Sequence, residues 1–320
     1  MIITENHIIK AYNEIGRKLD AKNGLKYLKL KKDYRGNVKQ VALKHGIIPS
    51  TASRWMRNKR KPYSIRTIEE LTERGLLPFI PNKEAARIVG VLHGDGFLYK
   101  SLLGFGVTNN DLIMILKLKK DIQQLTQLKC EFREIRNKGD IEKIHNKSFV
   151  VTNPTYQIRF NSKALGVFLY ILGVPCGIKI RQPYLIPDWI MKGDKDIKKS
   201  FLNGLFDCEF SNSTISSYGS HKENLSSPRM EMGKTKEFQS NLSDYLFQLR
   251  LILSELNIHS EIKNLRDYAK GRISLTLMLS NKLTNILNFI NNVGFYYSDK
   301  KKHQAEHIKK IILKKLQKMR

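Results

Sequence analysis

The stretch Ile88–Gly96, IVGVLHGDG, is apolar on every side of a helical wheel, so a helix there must be buried all round. Gly90 sits in its middle, where glycine weakens a helix unless another backbone has to come close. The run closes on a carboxylate, Asp95, between two glycines. A helix C-terminus already carries partial negative charge, so an acid there needs something positive beneath it, and a divalent cation is the natural candidate. Leu202–Phe210, LNGLFDCEF, aligns with this run position by position: Gly204 with Gly90, Asp207 with His93, Glu209 with Asp95. The separation is too long for a solenoid period and suits two copies of a small domain. Two such helices are expected to pack through their glycines and to bring Asp95 and Glu209 together at one edge. A pair of ordinary core helices with polar caps is the plainer reading; the recurrence of both the glycine and the acid argues against it.

On those residues the chain resembles the LAGLIDADG (dodecapeptide, DOD-type) homing endonucleases, from about Lys83 to the C-terminus. Two positions depart from the pattern. His93 replaces the usual first acid of copy one, and Phe210 the final glycine of copy two; neither is the metal-binding position of that family. The resemblance implies an α+β fold, a pseudo-twofold pair of αββαββα subdomains with saddle-shaped sheets; periodicity alone supports only α+β. It also implies that Asp95 and Glu209 each bind Mg²⁺, with Mn²⁺ as a substitute, where the motif helices meet. A lysine would approach the scissile phosphate in each half-site. Gly173–Lys179 and Gly294–Lys300 each put a lysine six residues after a glycine that follows a helix, which selects Lys179 and Lys300. Lys301 or Lys302 is the alternative to Lys300.

Charge bounds the partner. Among 320 residues, 57 Lys and Arg face 29 Asp and Glu, a net charge of +28, which favours a polyanion, nucleic acid ahead of a membrane surface. A lysine-rich bias from heat adaptation would usually raise glutamate as well, and here it has not. No run of eighteen apolar residues exists to span a membrane, and MIITENHIIK has no signal-peptide core. Cys130, Cys176 and Cys208 have neither metal-ligand spacing nor a disulfide framework, which suits reduced thiols in a cytoplasmic protein. His93, His145, His221 and His303 have no zinc-like spacing; His93 reads as a structural helix-end residue and Asp207 as a cap.

In chain order, residues 1–77 read as a small all-α domain, with Ile8, Ile9, Tyr12, Ile15 and Leu19 on one helical face. Residues 36–61 resemble a helix-turn-helix: Val38, Val41 and Ala42 on a first helix, Gly46 in the turn, Pro49 opening Ser50–Met56 as the recognition helix. Ser50, Thr51, Ser53 and Arg54 would face base edges, and Arg57, Lys59, Arg60 and Lys61 would reach phosphates. Residues 78–83 are the linker, 84–195 the first copy with a closing helix at Ala164–Leu172, and 196–320 the second, ending in a lysine-rich helix at Ala305–Lys318.

The reading that follows is a monomeric, Mg²⁺-dependent homing-type endonuclease cutting both strands of a long, roughly palindromic double-stranded DNA target. Two alternatives stay open on the same scaffold: a non-catalytic DNA-binding regulator and an RNA-binding intron maturase. An intein would need a nucleophilic first residue and an asparagine before its last junction; a chain running from Met1 to Lys318-Met319-Arg320 reads as free-standing.

Overall fold

The computed structural model describes residues 1–144, 147–218, 221–268 and 271–318. The chain forms helices α1 (Glu5–Glu14), α2 (Lys18–Asp33), α3 (Val38–Lys44), α4 (Pro49–Met56) and α5 (Tyr63–Glu73). Next come α6 (Lys83–His93), strands β1 (Gly96–Leu98) and β2 (Phe105–Asn109), α7 (Leu112–Thr126), β3 (Glu131–Arg136), β4 (Ile141–Ile144), β5 (Lys147–Val150), β6 (Thr155–Phe160) and α8 (Lys163–Ile171). The remainder is α9 (Asp188–Met191), α10 (Lys195–Glu209), β7 (Ile215–Tyr218), β8 (His221–Leu225), β9 (Arg229–Thr235), α11 (Gln239–Glu255), β10 (Ser260–Tyr268), β11 (Arg272–Leu279), α12 (Leu283–Asn292) and α13 (Asp299–Lys318). His145 lies outside the described residues. Two compact units result, Met1–Pro81 with Ser162–Leu172, and Asn82–Asn161 with Gly173–Arg320.

The first unit is helical. Its chain turns sharply at Gly16 (φ +81°), so the stripe of Ile8, Ile9 and Tyr12 ends with α1 and Leu19 faces solvent, 73% exposed, against the sequence expectation. The Asp20 carboxylate accepts from the amides of Tyr63 and Ser64 (both 2.8 Å), satisfying free donors at the start of α5. Between α3 and α4, Gly46 (φ +59°) makes the turn, Pro49 occupies the first turn of α4, and Trp55 packs edge-on to Tyr27 at 6.0 Å. The residues expected to be a bare linker are partly tied down: Phe79 exchanges backbone hydrogen bonds with Ile3 (2.8 and 3.0 Å) and meets Phe168 edge-on.

Phe168 belongs to α8, which groups with the N-terminal helices rather than with the first motif copy. Its sequence, KALGVFLYI, is apolar nearly all round, and Ala164, Leu165, Val167, Phe168 and Leu169 are all buried. Such a helix needs covering on several sides, and it packs against α1 and α5.

The second unit holds both motif helices and two antiparallel sheets, ordered β1-β2-β6-β3 and β10-β11-β9. Each sheet repeats one connection: a strand before a long helix (β2, β9) pairs with the second strand of the same sheet after that helix (β6, β11), which pairs with the first (β3, β10). The additional edge strand of the first sheet, β1, is matched among the described residues by an isolated bridge, Ser211–Arg229. Hairpins β4–β5 and β7–β8 stand outside both sheets. Along β9, Met230, Met232 and Lys234 are buried while Arg229, Glu231 and Gly233 are exposed.

Helices α6 and α10 form the centre of this unit, glycine to backbone. A Cβ on Gly90 would stand 2.2 Å from the Phe201 carbonyl oxygen, and one on Gly204 would stand 2.0 Å from that of Arg87. Only glycine permits that approach from both sides.

Candidate active site at the paired helix ends

The close crossing sets the two acids side by side. At the junction a Cβ on Gly94 would lie 2.6 Å from Cys208 Cβ and 3.4 Å from Glu209 Cγ, so the acidic ends meet where the chain has no side chain to separate them. Asp95 and Glu209 are both half-buried. The Asp95 Oδ2 accepts from Asn109 Nδ2 at 2.5 Å, and Asn109 Oδ1 accepts from the Asp111 amide, which fixes the orientation of the amide. Burial raises the Glu209 carboxyl above its ordinary pKa and the Asp95 charge raises it further, opposed by Lys179 and Lys301.

Those two lysines supply the positive charge that the misplaced acids need. Lys179 Nζ donates to the carbonyl oxygens of Leu92 (3.5 Å), His93 (3.0 Å) and Gly94, closing the end of α6. Lys301 Nζ donates to those of Phe206 (3.1 Å) and Asp207 (2.7 Å) at the end of α10. Helix C-termini leave carbonyls unsatisfied, and an ammonium both bonds them and opposes the dipole. Burial lowers both lysine pKa values, while the neighbouring acids act the other way.

The selected Lys300 is not the residue that reaches α10; its neighbour Lys301 is. The reason is helix phase. Ser298 Oγ accepts from the Lys301 amide at 3.3 Å and α13 starts at Asp299, six residues before the expected start at Ala305, so residues 300 and 301 point about 100° apart. Lys300 and Lys301 both line a cleft of about 930 Å³, together with Asn109, Asp207, Ser211 and Gln304.

His93 and Asp207 hold the helix ends from within. The His93 Nε2 donates to the Gly173 carbonyl oxygen (3.1 Å), and Nδ1 accepts from the Tyr245 hydroxyl (3.2 Å). Burial depresses its pKa from 6.5 to about 3, so the ring is neutral. The Asp207 carboxylate, raised by burial, accepts from the amides of Tyr296, Tyr297 and Ser298.

Sequence reasoning missed Asn109 and Lys234. Lys234 Nζ donates to Gln182 O (2.8 Å) and Asn241 Oδ1, and lies 3.8 Å over the Tyr184 ring; burial lowers its pKa to about 8. It secures the segment just after Lys179, as does Thr235, whose hydroxyl donates to Ile180 O at 3.3 Å. An alternating strand with one lysine on its buried face was the signal for Lys234; nothing in the sequence marks Asn109.

The N-terminal set lies in the other unit. There Ser50, Arg54, Arg57, Lys59 and Arg60 are exposed, and Thr51 and Ser53 half-buried. Lys61 is not available to phosphates as expected: its ammonium pairs with Glu69 at 2.5 Å, over the Tyr27 ring.

No family model matches the chain. It is 30% identical over 251 residues to the tRNA-splicing ligase RtcB of Methanocaldococcus jannaschii, a match over 75% of this chain and 25% of that protein. From the same organism, DNA-directed RNA polymerase subunit Rpo1N is 27% identical over 79% of this chain and 19% of its own, and the replication factor C small subunit 28% over 66% and 11%. The chain thus spans a quarter or less of these relatives' lengths. Among solved structures, I-DmoI in complex with DNA and Ca covers 70% of this chain and 97% of its own, at 15% identity and a TM-score of 0.41. A variant of I-SmaMI covers 73% and 90%, at 13% identity and 0.39, scores too low to establish a shared fold.

Proposed function

We propose that the chain is a divalent-metal-dependent DNA endonuclease of the LAGLIDADG kind. The observation that carries this reading is the pair of carboxylates, Asp95 and Glu209, at the touching ends of two glycine-packed helices, each end backed by a half-buried lysine, in a chain of net charge +28. A structural core has no need of two acids side by side, where burial first and the Asp95 charge second raise the Glu209 carboxyl above its ordinary pKa. A site handling phosphodiesters does, because a cation and a phosphate complete it.

The residues fit a hard cation. Among the described residues no three of His, Cys, Asp and Glu cluster as ligands, so Asp95 and Glu209 would hold it with phosphate and water oxygens filling the remaining positions, as suits Mg²⁺. When bound, the cation would supply Lewis-acid stabilisation of charge on the phosphate oxygens. Asn109 orients Asp95 toward it. Lys179 and Lys301 hold positive charge at their Nζ atoms behind each acid, preorganised to balance the charge that develops on each scissile phosphate. Lys301 takes here the role that sequence spacing gave to Lys300. The matching ends of α6 and α10 would serve one strand each, so a single chain would cut both. The exposed Ser50, Arg54, Arg57, Lys59 and Arg60 of the α3–α4 pair suit a helix-turn-helix that lengthens the footprint.

The named relatives do not redirect this reading. Each takes about two thirds or more of this chain, so the matched stretches overlap, yet a tRNA-splicing ligase, an RNA polymerase subunit and a replication factor subunit are named for different tasks. What they hold in common with this chain is a minor part of each, which fits a module with chemistry of its own. In the test, Asp95→Asn and Glu209→Gln are expected to lose cleavage by at least about a hundredfold while binding the same duplex as well or better. Lost binding with unchanged cutting would refute the assignment.

A further inference from the structure

The residues two places before the acids differ in type and yet do one job. On α6, His93 Nε2–H reaches the Gly173 carbonyl (3.1 Å), and Gly173 opens the loop that leads to Lys179. That lysine then returns to the carbonyls of His93 and Gly94 on the same helix. On α10, Asp207 accepts from the amides of Tyr296 (3.1 Å), Tyr297 (2.7 Å) and Ser298 (3.2 Å), just before Lys301, and Lys301 returns to the carbonyl of Asp207 itself. Each motif helix therefore closes a ring: side chain to loop backbone, loop to lysine, lysine to helix end. Asn203 adds a second tie on α10, donating to Val293 O at 2.7 Å.

The change of residue follows from what each loop presents. The first loop offers a carbonyl and needs a donor; the second offers three amides and needs an acceptor. An aspartate at 93 would set a carboxylate against the Gly173 oxygen, two acceptors facing each other in a buried place. His93 is held to its task by the Tyr245 hydroxyl at Nδ1 and by Tyr184 and Phe201, both edge-on at about 5.5 Å. Histidine in the first motif thus supplies a matched tie and is not the remnant of a lost acid.

We propose that His93 and Asp207 are positioning residues, each setting the lysine of its own helix end, so that each governs the cutting of one DNA strand. This rests on the endonuclease reading. A lysine displaced by an ångström loses much of its effect on the reaction at its own phosphate and little at the other.

The test uses the full chain on a duplex carrying a site that the wild type cuts, with the two strands differently end-labelled. His93→Leu is expected to slow one strand by about tenfold or more while the other stays within about threefold, so nicked duplex accumulates. Asp207→Asn, which turns one acceptor into a donor facing an amide, is expected to nick the opposite strand, more weakly because Asn203 still ties the loop. His93→Gln, whose amide can donate to the Gly173 oxygen, is expected to restore the slowed cut. Thermal melts report folding; if His93→Leu is unfolded, the strand bias of Asp207→Asn decides alone. Equal slowing of both strands, or no slowing, overturns the positioning role and leaves the endonuclease reading standing. A folded wild type that cuts no DNA overturns the reading beneath it.

Discussion

At the scale of single residues, the chain depends on atoms that are absent. Adding one carbon at Gly90 or Gly204 drives a Cβ to within about 2 Å of a carbonyl oxygen on the facing backbone. The helices must then separate, and overpacking of a tight core typically costs about 1–3 kcal/mol, more where backbone opposes backbone. Gly90→Ala and Gly204→Ala are therefore expected to lower the unfolding free energy by that amount, read from urea titrations, whereas Gly139→Ala, with nothing within 4 Å of its Cβ, tests only the strain of its positive φ. His93 makes a second expectation. Its folded pKa is depressed from 6.5 to about 3, so its proton binds the unfolded chain more tightly. Its contribution is complete above pH 6.5 and is lost as pH falls toward 3, by up to about 1.4 kcal/mol per pH unit. Asp207 and Glu209, both raised, titrate with the opposite sign, so the comparison is with His93→Leu. Between pH 6.5 and 5 the wild type should lose about 1.6 kcal/mol relative to that variant; parallel curves would show that His93 is not held neutral. Both the glycines and the acids were legible in the sequence, because their demands are local: close backbone approach and a charge at the wrong end of a dipole. The lysine at 301 was not. Three lysines in a row leave the choice to the phase of α13, and that phase is set by a serine cap, not by the spacing from Gly294.

At the scale of elements, α8 teaches the same lesson in reverse. Its apolar run reads plainly as a buried helix from sequence, but a helix apolar on all sides does not say which neighbours bury it. Chain order suggested the first motif copy; packing gives it to α1 and α5. The helical unit is thus completed by a segment from the middle of the chain. Phe168→Ala, which removes a fully buried ring that meets Phe79, is expected to cost about 3–5 kcal/mol. Limited proteolysis should then release fragments from residues 1–81 first; unchanged resistance would mean that α8 adds little to that unit. The strands were read with fair success because β9 and β11 alternate or run apolar, whereas β4 carries no such pattern. The sheet order, with β6 and β11 in the middle, depends on long-range pairing that no local signal encodes.

At the scale of the whole molecule, the governing fact is an excess of 28 positive charges. Among the described residues no helix is long and apolar enough to cross a membrane; the proposed partner of so large a positive charge is a nucleic-acid backbone. If many of these lysines and arginines meet phosphates, log K should fall steeply and linearly with log salt, with a slope of about −0.9 for each phosphate neutralised. A flat dependence would leave the basic surface without a role. Arg54→Ala should weaken binding to the preferred site more than to random duplex, if α4 reads bases, while Arg57→Ala and Lys59→Ala should weaken both alike. What the sequence offers toward the proposed function is chemistry alone: two acids, nearby lysines and a net charge of +28 suit a phosphodiester site, whereas no periodicity marks which exposed residues would read a target sequence.

The central claim is that Asp95 and Glu209 form one metal-dependent nuclease site. Its most direct test is to incubate the full chain with a randomised duplex library in Mg²⁺ and in EDTA, beside Asp95→Asn, and to sequence the ends produced. Recurrent double-strand ends that require both the cation and Asp95 are the expected result. Sequence-selective retention of duplexes with no ends at all, or cutting that persists in Asp95→Asn, would contradict it.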